Sequence, residues 1–421
     1  MTHGGKDGQM DISANSIKEK VRAYLPQMIE LQRDLTAIPA LAPENGGEGE
    51  ERKAQYLSTY VEKEALGEVK WFNAPDDRVP CGYRPNLLVH VPGKNSKKSL
   101  TIVSHMDVVP PGNLNLWHHH PFDLVVEEDR IIGRGVEDNQ QGIVCSLHAL
   151  KILKDLDIRP ATDVKLIFVS DEETGSKRGL QYLIREHREL FKKEDLILVP
   201  DYGNEDGTMI EVAEKSIIWV RIAIKGEQCH ASVPHKGKNT LRATAYFIVE
   251  SEKLSTVFPA KDPMFRPPSS TFEPTKKEAN VENINTIPGE DIFYFDCRVL
   301  PQYPLDSVLE YFREIAGKIE NDFGVKVDIS TRMYDQAAPP TPKNSPVVLK
   351  IKEAVRALRK LEAKACGIGG VTVATYLRKA GLEVAVWQTI TKTAHQPNEY
   401  CLLENMVKDT EVMAYLMVGT T

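Results

Sequence analysis

Three stretches of this chain are apolar almost without interruption, yet each is too short to make a stable helix: Leu100-Thr-Ile-Val-Ser104, Val164-Lys-Leu-Ile-Phe-Val-Ser170 and Leu196-Ile-Leu-Val199. A strand with one wet face alternates apolar and polar residues. Unbroken runs instead read as strands covered on both faces, as in a mostly parallel sheet. Between the first two runs, Gln140 to Leu156 is rich in helix formers and carries apolar residues at helical spacing. Residues 16–213 therefore predict an α/β domain with a mixed, mostly parallel sheet flanked by helices.

The rhythm then changes. Ser216 to Lys225 partly alternates, and Asn239 to Leu254 has a helical pattern. Glu278 to Thr286 and Asp291 to Val299 read as strands on either side of a Pro288-Gly289 turn. A helix at Leu305 to Ile319 and a strand at Val325 to Thr331 complete the order β-α-β-β-α-β. That order predicts a ferredoxin-like α+β domain at 214–335, a compact unit inserted into the first. The prolines of Ala337-Ala-Pro-Pro-Thr-Pro342 suit a return linker. Residues 336–421 resume α/β character, with a helix near Pro346 to Leu361, a strand at Val384 to Gln388 and a last helix after Asn405. Two domains also suit 421 residues, which exceed one ordinary core. The polar start, residues 1–15, reads as a disordered tail without an apolar signal core.

Composition narrows the partners. A net charge of −7 and the lack of a basic, aromatic-laced stripe argue against nucleic acid. No apolar run reaches membrane-spanning length. The six cysteines, at 81, 145, 229, 297, 366 and 401, form no C-x-x-C pair, so neither a disulfide framework nor a thiolate metal site is indicated. A reducing cytoplasm and a small-molecule partner fit best.

Chemistry-bearing residues cluster just past the predicted strands. His105 and Asp107 follow the first run, and Asp171-Glu172-Glu173 follows the second. Asp201 follows the third, His395 lies beyond Val384–Gln388, and Asp138 precedes the Gln140 helix. In open α/β sheets, ligands bind beyond the carboxyl ends of strands, so these side chains would share one crevice. Crowded carboxylates raise one another's pKa unless a cation neutralises them. Histidines with carboxylates and no thiolate suit zinc, cobalt or manganese better than calcium or magnesium. Three carboxylate ligands on two dications would leave a single positive charge, which a bridging hydroxide would cancel. Each residue also has an ordinary reading: Asp138 as a helix cap, Asp-Glu-Glu as a solvated turn, each histidine as a surface residue.

Five ordered motifs carry a resemblance: Ser104-His-Met-Asp-Val-Val-Pro110; Trp117 with Pro121-Phe122; Gly133-Arg-Gly with Asp138; Asp171-Glu-Glu-Thr-Gly175; and His395. The chain resembles the metallopeptidase and aminoacylase family of acetylornithine deacetylase, succinyl-diaminopimelate desuccinylase, aminoacylase and carboxypeptidase G, over essentially its whole length. The resemblance implies a zinc-exopeptidase-like fold and a hydrolase with two divalent metals, zinc foremost and cobalt or manganese as alternatives. The metals would lie about 3.5–4 Å apart. His105 and Asp201 would hold one metal, Glu173 and His395 the other, and Asp138 would bridge them. Asp107 would orient His105. Glu172 would be the general base, taking a proton from the metal-bound water and returning it to the leaving amine. His230 would stabilise the tetrahedral oxyanion, arriving from the partner subunit in dimeric members. Asn285 and Arg298 would hold the substrate, Arg298 through a carboxylate, and Gly369 and Gly370 would offer backbone N–H groups. The implied substrate is an N-acyl amino acid or, alternatively, a dipeptide or tripeptide, and the implied assembly is a homodimer through the inserted domain, which would act as a lid or dimerisation unit. Many members follow the glycine with Thr/Ser and then Asp. Here Val371-Thr372-Val373 follows Gly370, which weakens any inherited substrate preference.

Other features read as decoys. His118-His119-His120 lies within the Trp-to-Pro-Phe loop and reads as solvated. Cys229 reads as a buried structural thiol beside His230, and Ser170 as a strand end without a nucleophile elbow. A two-metal phosphoesterase would need a phosphate cradle, and no Gly-rich loop of that kind is present. A non-catalytic binding protein would be expected to lack the base or a ligand, and none is missing.

Overall fold

The computed structural model describes residues 7–419, with side chains from residue 16 onward. Helix α1 (Asp7–Thr36) opens the chain. It takes in residues 7–15, where the sequence predicts a tail; residues 1–6 of that tail lie outside the described residues. Helix α2 (Glu51–Lys63) buries Ala54, Leu57, Ser58 and Val61, one stripe at helical spacing. Strands β1 (Glu68–Pro75), β2 (Tyr83–Val91) and β3 (Asn95–His105) follow. Next come helix α3 (Gln140–Asp155), β4 (Thr162–Val169), α4 (Leu180–Glu186), β5 (Leu196–Asn204) and β6 (Met209–Glu214).

The chain then enters a second unit, with β7 (Ser216–Lys225), α5 (Thr240–Ser251), β8 (Thr271–Lys277), β9 (Glu290–Val299), α6 (Leu305–Phe323) and β10 (Lys326–Asp335). It returns through α7 (Pro346–Arg359), β11 (Lys364–Ile368), β12 (Val384–Thr389) and α8 (Leu403–Val418). Among the described residues, one compact unit comprises 7–212, 341–365 and 372–419; the other comprises 213–340 and 366–371. The short piece 366–371 departs from the sequence expectation. It is stitched to the second unit by Lys215 N–H to Ile368 O, 3.0 Å, and Gly367 N–H to Met264 O, 2.8 Å.

In the first unit the sheet order is β1-β2-β4-β3-β5-β12-β6-β11. Its four central strands, β4, β3, β5 and β12, are parallel, while β1, β2 and β6 pair antiparallel outside them. Val103, Ile167, Val169, Ile197, Val199, Val384 and Val386 join Leu180, Leu183 and Leu377 in one core cluster. The alternate residues Ile102, Leu166, Phe168, Leu198 and Trp387 are equally buried. Successive strand side chains point to opposite faces, so both faces are covered, which is why these runs show no alternation.

The second unit is an antiparallel sheet in the order β8-β9-β7-β10 with α5 and α6 packed against it, the ferredoxin-like arrangement. Strand β9 buries every second residue, and α6 buries Leu305, Val308, Leu309, Phe312, Ile315, Ala316 and Ile319. The strand expected at Glu278–Thr286 falls instead at Thr271–Lys277. Pro274 counts against a strand in sequence, but β8 is an edge strand with an irregularity at Pro274, where the missing N–H is tolerated.

Where β5 meets β12, Gly203 is a packing requirement: a Cβ there would lie 1.9 Å from the Gln388 carbonyl oxygen. Gly203→Ala must push apart the two strands that lead to Asp201 and His395. We expect a loss of about 1–3 kcal/mol in urea unfolding. An unchanged midpoint would mean that the pair separates freely.

Candidate metal centre

Because β4, β3, β5 and β12 are parallel neighbours, their carboxyl ends open on one edge of the sheet. His105 is the last residue of β3. Past β4, Asp171 adopts left-handed backbone at φ 63°, which turns the chain sharply and presents Glu172 and Glu173. Their N–H groups donate to the two oxygens of Asp107, at 3.1 and 3.0 Å. Asp201 follows Pro200 within β5, and His395 lies in the loop after β12.

Asp138 lies between the two histidines. His105 Nε2 is 2.8 Å from Asp138 Oδ1 and 3.5 Å from Asp201 Oδ1. His395 Nε2 is 3.2 Å from Asp138 Oδ2 and 3.2 Å from Glu173. Two triads, His105–Asp138–Asp201 and His395–Asp138–Glu173, thus share one carboxylate, and each offers three ligand atoms within 4.8 Å of one another. Glu172 joins His105 and Glu173 in a third such group. Two imidazoles and three carboxylates without a thiolate form a donor set that fits two divalent ions of the zinc class. His105 Nδ1 faces Asp107, 3.0 Å from its carbonyl and 3.4 Å from its carboxylate, which leaves Nε2 for coordination.

The electrostatics fit the same occupant. Burial pushes Glu172 well above the usual carboxylate range, and burial with the neighbouring Asp138 charge raises Glu173 to about 7. Hydrogen bonds to Asp138 and Glu173 lift His395 to about 10. Burial disfavours charge on His105, but the surrounding Asp107, Asp138 and Asp201 outweigh it and raise its pKa. Without a cation, the imidazoles hold protons to offset the carboxylates.

Several residues that the sequence reading passed over hold this cluster together. The buried carboxylate of Glu399 accepts from the N–H groups of Gly135, Glu137 and Asp138 at 3.0–3.1 Å and from Arg134 at 2.6 Å. It therefore shapes the loop that presents Asp138. Glu137 does the same for the His395 loop, accepting from the N–H groups of Thr391, Lys392 and Thr393. The Asn139 side chain accepts from His105 N–H and donates to Asp201 at 3.0 Å, tying β3 to β5. Beneath the Asp171 turn, Arg84 is fully buried against Glu50, with Asp76 and Asp171 at 3.7 and 3.6 Å. None of these has a local signal, because each is a lone charged or amide residue whose partner is distant in sequence.

The remaining predicted residues lie in the second unit. Cys229–His230 pairs with Thr286–Ile287, and Ala231 N–H donates to Asn285 O at 2.8 Å, so His230 and Asn285 are neighbours. The exposed His230 ring meets Ser232 Oγ at 2.7 Å. Arg298 Nη1 donates to Gly369 O at 2.9 Å, bringing that pair together; Gly369 and Gly370 both have open space where a Cβ would sit. Cys229 is half-buried rather than buried, since its two-residue strand lies outside the main sheet. His118, His119 and His120 are exposed and outside the three ligand groups. Ser170 is buried, with Oγ donating to Pro85 O.

A family model described as Peptidase family M20/M25/M40 matches residues 101–418. An uncharacterized metallohydrolase of Methanocaldococcus jannaschii is 40% identical over 406 residues, covering 92% of this chain and 98% of its own. Succinyl-diaminopimelate desuccinylase of Pelagibacter ubique is 24% identical over 335 residues, covering 77% and 83%. Among solved structures, aminopeptidase PepT of Bacillus cereus superposes with a TM-score of 0.74 at 17% identity, over 94% of this chain and 98% of its own.

The protonated histidines set a pH dependence. The metal-free fold holds the His395 proton up to about 10, against about 6.5 in an unfolded chain. In that window the unfolded state binds fewer protons, so metal-free stability should fall as pH rises from about 6.5 to 10. Metal must displace the same proton, so affinity should strengthen over the same range. Urea unfolding of the metal-free protein and zinc competition against a chromophoric chelator test both trends; parallel rather than opposite trends would refute this assignment. Asp138→Ala removes the carboxylate that the two triads share and should sharply weaken metal retention, read by metal content after dialysis.

Proposed function

From the premise that the chain belongs to peptidase family M20/M25/M40 and is a metal-dependent hydrolase, we propose that it removes the acyl group from an N-acyl amino acid by cleaving the amide bond. The observation that carries this reading is the pair of ligand triads sharing Asp138, with Glu172 beside them. His105 and Asp201 would hold one metal, Glu173 and His395 the other. Two bound zinc ions, or cobalt or manganese, would acidify a water molecule and polarise the scissile carbonyl.

The chain's own groups supply the rest. Glu172 is held proton-hungry by burial; it would take a proton from the attacking water and deliver it to the leaving nitrogen. Asp107 keeps His105 in the ligating orientation. In the second unit, His230 would donate to the developing oxyanion, Asn285 and Arg298 would hold the substrate, and Gly369 and Gly370 would admit it close to the backbone. Cysteine usage favours the cytoplasm, and the family resemblance favours a homodimer.

The test is amine release from N-acetyl and N-succinyl amino acids and from simple dipeptides, after loading with zinc, manganese or cobalt. Release from the acyl substrates supports the deacylase, and release from dipeptides alone replaces it with an exopeptidase. Glu172→Gln should keep its metal while kcat falls about 10²–10⁴-fold; substantial residual turnover would remove Glu172 as the base. His230→Ala should lower kcat by about 10²–10³ with little change in KM, since its contact forms in the transition state.

A further inference from the structure

Arg298, assigned above to the substrate, is itself held by three hydrogen bonds. Asp296 and Arg298 are two residues apart on β9 and share one face of the strand. Arg298 Nε donates to Asp296 Oδ1 at 2.6 Å and Nη2 to Asp296 Oδ2 at 2.9 Å, so the carboxylate grips one side of the guanidinium. Nη1 donates to Gly369 O at 2.9 Å. On the neighbouring strand, Trp219 lies directly opposite Asp296, and its indole N–H donates to Asp296 Oδ2 at 3.0 Å. Both members of the ion pair keep about a third of their side chains exposed, at 27% and 30%.

A guanidinium has five N–H donors. Among the described residues three are taken, leaving one on Nη1 and one on Nη2. A free arginine on a sheet face samples many rotamers, and binding a ligand carboxylate must first select one. Here the side-on carboxylate and the Gly369 carbonyl make that selection in advance, and the Trp219 N–H fixes the carboxylate in turn.

We propose that Asp296 is a positioning residue, anchored by Trp219, that holds Arg298 with one N–H on each terminal nitrogen presented to a substrate carboxylate. This role rests on the reading that Arg298 binds the substrate's carboxylate. Asp296 thereby raises affinity for that carboxylate despite its own negative charge.

The test measures binding by calorimetry in the metal-loaded Glu172→Gln protein, where turnover is removed. The probes are N-acetyl amino acids and their α-carboxamides. In the parent, the carboxylates should bind more tightly than the carboxamides. Asp296→Asn should raise Kd for the carboxylates about tenfold and leave the carboxamides unchanged. Trp219→Phe, at a residue 42% exposed and therefore safe for folding, should cause a smaller rise with the same selectivity. An equal rise for both probes, no change, or a tightening after Asp296→Asn overturns the proposal, the last by making Asp296 a competitor. Arg298→Ala separates the two levels. If it leaves the preference for carboxylate intact, the assignment of Arg298 to substrate fails; if it abolishes the preference while Asp296→Asn has no effect, only the positioning role fails.

Discussion

Like charges held together against their own repulsion set the terms for the first unit. Asp138, Glu173 and Asp201 converge on two imidazoles, with Glu172 and Asp107 close behind. In water such a group would separate. Here the four central parallel strands end side by side, so separation would require the sheet to come apart. Gly203 allows β5 and β12 the close approach on which that edge depends. The carboxylates that would otherwise destabilise the fold become a receptor for cations.

The loops carrying the ligands are held by buried carboxylates of their own. Glu399 gathers three consecutive-region N–H groups around Asp138, and Glu137 gathers three around the approach to His395. A carboxylate accepting several backbone N–H groups forms strong, charge-assisted bonds. Burial, helped by the nearby Asp138 charge, raises Glu399 to about 7 even though Arg134 and the backbone donors pull the other way. The buried Arg84 performs the complementary task beneath the Asp171 turn, offsetting Glu50, Asp76 and Asp171 together. Lys53, buried on α2, adds positive potential near Asp107, Glu50 and Glu399, while burial lowers its own pKa to about 8. The ligand geometry therefore depends on a surrounding shell of buried carboxylates and the cations that offset them.

The second unit follows a different logic. Its sheet and two helices form an independent core in which β9 alternates strictly, leaving a polar face for Asp296 and Arg298. Gly369 reaches that face because residues 366–371, although late in the chain, are hydrogen-bonded to this unit.

Much of this was legible in the chain alone. Unbroken apolar runs specified covered parallel strands, because a strand buried on both faces cannot alternate. The same runs pointed to where chemistry-bearing residues gather, although His105 closes β3 and Asp201 lies within β5, which runs on to Asn204; the ligand roles themselves came from the family resemblance. Helical spacing likewise located α6 and α7 within a few residues. What the sequence could not determine was whatever depends on a distant partner. Glu399 and Glu137 look like ordinary acidic residues until the loops they hold are folded around them. Pro274 argues against a strand until β8 is found at an edge, and Gly369 belongs to the second unit only through contacts with residues far earlier in the chain. Local patterning records which face a residue buries, since water is sensed one residue at a time. Pairing between remote residues is decided only when the chain closes on itself.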